Sequence, residues 1–261
     1  MGRFRVGSDP LGRLGISVQT MSRTGQPPRS GVVWSGPLHV RARPWPALPD
    51  CALLLIGASH HPGSPAPTEH QVRQWLDTVS EWGYSRVRTN AVPDSVAETL
   101  ALTGFDVAQD LALLRRPHAT PPRFDIPRDA RPTLVRRVSA HSVDILDLDD
   151  IAFGHEWHLD AQSLADALAA TSSARVWVSR RDETLQGFVV AGLTGRTGYV
   201  QRLAVHPSVR RSGVASRLVA RALQWTHRRG ATGTLVNTEV TNDAALGLYR
   251  GLGFEVLDHR L

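Results

Sequence analysis

The residues with the clearest chemical content form one stretch, Leu203-Ala204-Val205-His206-Pro207-Ser208-Val209-Arg210-Arg211-Ser212-Gly213-Val214-Ala215. A β-type segment ends at Val205, a basic loop with one glycine follows, and an amphipathic segment begins at Ala215. That order predicts a strand, a loop and the N-terminus of a helix. A helix N-terminus leaves about four backbone N–H groups without intrahelical partners, and its dipole favours anions. Gly213 and Ala215 keep side-chain bulk away where a backbone approaches a ligand, and Arg210 and Arg211 add positive charge. The ligand this chemistry suits is a pyrophosphate. The loop is not a Walker loop, because no Gly-Lys-Ser/Thr follows, and it lacks the Gly-x-Gly-x-x-Gly spacing of dinucleotide sites.

The pattern Arg210-x-x-Gly213-x-Ala215 resembles the Gln/Arg-x-x-Gly-x-Gly/Ala signature of the GCN5-related N-acetyltransferase (GNAT) superfamily. Leu203-Ala204-Val205-His206-Pro207 is similar to that family's strand-to-loop junction. A second block, Asn237-x4-Asn242-Asp243-Ala244-Ala245-x3-Tyr249-x3-Gly253-Phe254, resembles its downstream motif. Asparagine occurs only at 90, 237 and 242 and tyrosine only at 84, 199 and 249, yet two Asn and one Tyr fall on family positions. The resemblance implies acetyl-CoA as cosubstrate, no metal, and transfer of an acetyl group to a primary amine. It implies that the main chain of Leu203, Ala204 and Val205 meets the pantetheine arm, where the strand splays from its neighbour. It implies that the amides of Arg211, Ser212, Gly213, Val214, Ala215 and Ser216 hold the pyrophosphate. Asn242 contacts the pantetheine or caps the next helix.

Acyl transfer to an amine needs two proton movements. A lysine-like amine, with a pKa near ~10.4, is protonated at pH 7 and must lose a proton to attack. The leaving thiolate must gain one, and a phenol is a competent donor. Tyr249 matches the family's tyrosine beside the coenzyme sulfur and is the candidate acid, its other reading being a core residue between Leu246 and Phe254. Family members often place the base on the strand before the loop, but Tyr199-Val200-Gln201-Arg202 contains no acid. Glu239 on the next strand and Glu156 in Gly154-His155-Glu156-Trp157-His158 are the remaining candidates. Glu156 and Trp157 would also meet a cationic acceptor. His155 and His158 lack a metal-ligand spacing with other ligands.

These residues need a scaffold of mixed α/β type: a mostly antiparallel central sheet flanked by helices, in two pseudo-repeated units. Thr133–Val138, Arg175–Ser179, Gln186–Leu193, Tyr199–Val205, Thr232–Val240 and Phe254–Leu257 read as strands. Ser142–Ala170 is mainly helical. Ala215–Arg228 is a helix with Leu218, Val219, Ala222 and Trp225 on one face, and a short helix ends at Arg250. Residues 1–31 read as a disordered tail in which Met1 or Met21 is the start. Residues 32–116 form an N-terminal unit, 117–132 a Pro-rich linker, and 133–261 the acetyltransferase unit.

The N-terminal unit repeats the other with its chemistry removed. Ala52–Ile56 matches the strand before the loop, Val72–Trp82 matches the helix after it, and Gly83 to Asn90 has the spacing of Gly230 to Asn237. Gly104-Phe105-Asp106-Val107 matches Gly253-Phe254-Glu255-Val256. The loop Gly63-Ser64-Pro65-Ala66-Pro67-Thr68-Glu69 has no arginine, and its prolines remove N–H donors. Leu100 stands where Tyr249 would be.

The chain has 261 residues and a formal charge of +6. All 30 basic residues are arginine, which points to a GC-rich genome rather than to a nucleic-acid partner. The one cysteine, Cys51, excludes a disulfide framework and fits the cytoplasm. No apolar run reaches the ~18 residues of a membrane helix. A non-catalytic acyl-CoA sensor or interaction module is the alternative to an enzyme. Oligomeric state and the acceptor are not legible.

Overall fold

The computed structural model describes residues 29–36, 38–57, 66–119 and 124–261. Residues 1–28, which hold Met1 and Met21, and most of the loop before Thr68 lie outside it. The chain divides into two compact units, one reaching Leu111 and taking in 259–261, the other spanning Ala112–Asp258. The division falls five residues before the expected boundary at 116.

In the first unit, β1 (Gly31–Ser35), β2 (His39–Trp45) and β3 (Leu48–Gly57) form an antiparallel meander. Helix α1 (Glu69–Glu81) then crosses to β4 (Arg86–Thr89), which pairs with β3 in parallel, and α2 (Asp94–Leu102) follows. Val72, Trp75 and Val79 recur at helical spacing and are buried against Val40 and Leu54 of the sheet. The start of α1 is fixed by a reciprocal cap. The Thr68 hydroxyl accepts the Gln71 N–H at 3.2 Å, and the Gln71 side chain accepts the Thr68 N–H at 2.8 Å.

The second unit holds a seven-stranded sheet. Its members are β5 (Leu111–Pro117), β6 (Thr133–Val135), β7 (Ser173–Arg181), β8 (Thr184–Thr194), β9 (Thr197–Val205), β10 (Gly233–Glu239) and β11 (Glu255–Arg260), in spatial order β11-β5-β10-β9-β8-β7-β6. Helices α3 (Ser142–Phe153) and α4 (Ala161–Ala169) precede β7, α5 (Val214–Arg228) joins β9 to β10, and α6 (Asp243–Gly251) joins β10 to β11. Strand β8 is covered on both faces, so it reads as an unbroken apolar run. Val189 and Ala191 face α5 and α6; Phe188 and Val190 face α3 and α4.

The mainly helical stretch Ser142–Ala170 consists of two helices: Gly154, with φ of 78°, ends α3, and the Asp160 carboxylate opens α4 by accepting the Ser163 N–H. Residues 104–107, matched in sequence to 253–256, form a turn and loop, whereas Glu255 begins β11. The strand in that region is β5, which inserts between β10 and β11. Strands β1 and β2 had no sequence counterpart; Pro44 lies within β2 and breaks its pattern.

Candidate functional site

Helix α5 begins without a side-chain cap. Its N-cap is Gly213 at φ of 80°, a left-handed conformation that costs glycine nothing. Two residues earlier Arg211 sits at φ of 65°, where a side chain costs roughly 1–3 kcal/mol. The first intrahelical bond is Arg217 N–H to the Gly213 carbonyl, so the amides of Gly213 to Ser216 have no helical acceptor. The loop is braced from within. Ser212 Oγ donates to the Val209 carbonyl at 2.6 Å, and Arg217 Nη1 donates to the Ser212 carbonyl at 3.1 Å. Arg210 and Arg211 are respectively exposed at its outer edge. Gly187 on β8 lets the helix start sit close, since a Cβ there would lie 2.9 Å from the Ala204 carbonyl oxygen and 3.0 Å from Val214.

Beside this loop the sheet opens. Strand β9 stays paired with β8 as far as Gly187↔Val205, but its parallel ladder with β10 stops at Leu235↔Tyr199. A bulge accompanies the change: Val190 faces Arg202, Ala191 faces Val200, and Gln201 is the extra residue. The main chain of Leu203, Ala204 and Val205 is therefore released on its β10 side. Leu203 and Val205 join a cluster with Val209, Val214, Leu246 and Tyr249, which brings strand end, loop and α6 together.

Tyr249 is buried in that cluster, edge-on to Phe254 at 5.4 Å. Burial pushes its phenol well above the ordinary tyrosine range. Asn242 caps α6: its Oδ1 accepts the Ala245 N–H at 3.0 Å. Glu239 is half-buried at the end of β10, and Glu156 is exposed in the turn between α3 and α4. The geometry gathers the 203–216 segment and Tyr249.

Sequence reasoning missed Asp149. Its carboxylate is 0% exposed and takes a two-pronged bond from Arg202 of β9, at 2.8 Å from Nε and 2.7 Å from Nη2. Leu159 N–H adds a third bond at 2.7 Å, and Arg202 Nη2 also reaches the Trp157 carbonyl. The Arg202 guanidinium lies 3.5 Å from the centre of the Phe153 ring. This network ties the turn carrying Glu156 and Trp157 to β9. Losing one partner of such a buried pair costs about 3–5 kcal/mol. The signal available in sequence was an acid on a helix with no charged neighbour four residues away, which is too common to read.

Residues 142–254 match the family model described as acetyltransferase (GNAT) family. A mycothiol acetyltransferase from Brachybacterium faecium is 40% identical over 84 residues, 30% of this chain and 25% of its own length. The matched stretch is thus a quarter of that relative. A GCN5-related N-acetyltransferase from Kribbella flavida shares the fold with a TM-score of 0.60 at 17% identity, over 88% of this chain and 87% of its own. A tandem GNAT protein from the clavulanic acid biosynthesis pathway gives 0.59 at 13% identity, over 90% and 82%.

Proposed function

Taking residues 142–254 as a domain of the GNAT acetyltransferase family, we propose that the second unit transfers an acetyl group from acetyl-CoA to a primary amine. The observation that carries this reading is the uncapped N-terminus of α5 beside the point where β9 and β10 part. The amides of Arg211 to Ser216 and the charge of Arg210 and Arg211 suit the pyrophosphate. The freed main chain of Leu203 to Val205 suits an extended pantetheine arm, and one of its N–H groups stabilises the developing oxyanion. Asn242 already serves as a cap, so any ligand contact falls to its amide nitrogen. Tyr249 stays protonated throughout the working pH range and donates to the departing sulfur.

The acceptor is a cationic amine. Residues 138–174 contain seven acids, Asp144, Asp147, Asp149, Asp150, Glu156, Asp160 and Asp166, and no arginine, in a chain of net charge +6. Asp149 does not serve as the base, since both its oxygens are occupied. Glu239, or Glu156 through water, takes that role. We read the first unit as a degenerate copy that binds no coenzyme, and the protein as cytoplasmic, with Cys51 buried and unpaired. Among the described residues no helix is long and apolar enough to cross a membrane.

The occupied Asp149 also favours a second reading, an acyl-CoA sensor without turnover. Thiol release from acetyl-CoA across a panel of amines separates the two. The enzyme reading predicts turnover with at least one cationic amine. It also predicts that Tyr249→Phe lowers kcat by about 100-fold while coenzyme affinity changes little. Coenzyme binding with no turnover on any amine would favour the sensor, and equal kcat would remove the acid role of Tyr249.

A further inference from the structure

The turn between α3 and α4 carries a group of side chains that acyl transfer does not use. Asp150, His155 and His158 each offer one ligand atom, and these atoms lie within 4.8 Å of one another. Asp150 Oδ1 is 3.8 Å from His155 Nδ1 and 3.7 Å from His158 Nδ1. The two imidazoles stack, with ring centres 4.8 Å apart and planes 19° from parallel. The spacing in sequence, five residues and then three, hides this arrangement. It arises because Gly154 reverses the chain after α3, at a φ of 78° that disfavours other residues.

We propose that Asp150, His155 and His158 form a binding site for one divalent transition-metal ion of the zinc type. Two imidazoles and one carboxylate are the donors such borderline ions take, and hard ions such as Mg²⁺ or Ca²⁺ prefer all-oxygen sets. Ligands at ~2.0–2.2 Å from a tetrahedral ion stand roughly 3.4 Å apart, so the donors need to close by a few tenths of an ångström up to about 1.4 Å. His158 Nδ1 lies against the His155 carbonyl, so ligation through Nδ1 breaks that contact and ligation through Nε2 keeps it.

A second observation makes the site preorganised. The adjacent Asp149 holds Leu159 N–H directly and the Trp157 carbonyl through Arg202. The backbone that carries both histidines is thus pinned on either side of His158 to a buried charge pair. Asp149 and Asp150 divide the work: one anchors the turn inward, and the other faces the imidazoles. The exposed side of the group leaves remaining coordination positions to water.

Zinc titration of the tag-free full-length protein against a chromophoric chelator tests this, with Co²⁺ absorption reporting ligand type. The expected result is one ion per chain, with a Kd in the micromolar range. His155→Ala with His158→Ala together weaken it at least 30-fold, and Asp150→Asn weakens it less. The melting temperature of the metal-free double variant checks that the turn is exposed enough to tolerate the change. Absence of zinc binding at 100 μM, or equal affinity in the double variant, overturns the proposal.

Discussion

Helices α1 and α5 hold the same position in two β-α-β crossovers, β3-α1-β4 and β9-α5-β10, each joining parallel strands. Their N-termini differ. At α1 the Thr68 and Gln71 side chains take up two of the N–H donors that a ligand would use. At α5 no side chain among the described residues caps the amides, and Gly213 takes the N-cap. The strand gaps differ in the same sense. Beyond Leu54↔Thr89, Asn90 bridges the gap: its Oδ1 accepts the Ile56 N–H at 2.7 Å, and its Nδ2 donates to the Ile56 carbonyl at 3.3 Å. Where β9 and β10 part, Asn237 of β10 makes no such stitch among the described residues. One crossover has thus spent its unpaired backbone groups on itself, while the other keeps them available. In the proposed reading the open crossover offers its unsatisfied backbone to the coenzyme, and the closed crossover is the same arrangement with that requirement lifted.

Several changes break or sharpen this contrast. Strand β5 precedes the Pro-rich segment yet sits between β10 and β11. A fragment of residues 133–261 therefore lacks an interior strand of the open half. It should show no cooperative thermal transition, whereas residues 111–261 should melt cooperatively; a stable shorter fragment would mean β5 is dispensable. Asn90→Ala removes the stitch of the closed half and strands the Ile56 backbone groups. It should cost about 1–3 kcal/mol in chemical denaturation without altering acetyl-CoA affinity.

The smallest effect concerns pH. His118 is buried beside β10, where its ring bonds the Thr234 hydroxyl at 3.1 Å. Burial, followed by the nearby Arg116 charge, lowers its pKa from 6.5 to about 4. The unfolded chain binds that proton first, so stability falls as pH drops from about 6.5 toward 4. His118→Gln should flatten this limb in melting temperatures taken across that range, and an unchanged slope would remove His118 as its cause.

Much of this was legible because it depends on local periodicity. The α5 face of Leu218, Val219 and Ala222, the run Val189–Ala191 and the glycine at the helix start all announce themselves within a few residues. The unread parts depend on pairs far apart in sequence. Asp149 and Arg202 are 53 residues apart, and β5 joins strands more than a hundred residues later. The base on β9 was sought as an acid in 199–202. The strand instead carries Arg202, and its carboxylate comes from α3. The mainly helical character of 142–170 was legible, while the break at Gly154 was not located because apolar residues continue on both sides of it.

Calorimetric titration of the full-length protein with acetyl-CoA tests the central claim most directly. The account predicts one site per chain, lost in Gly213→Glu, whose side chain would be strained at φ of 80° and set a carboxylate against the anion site. Thr68→Ala in the closed half should leave that site unchanged. Two sites per chain, or undiminished binding by Gly213→Glu, would contradict it.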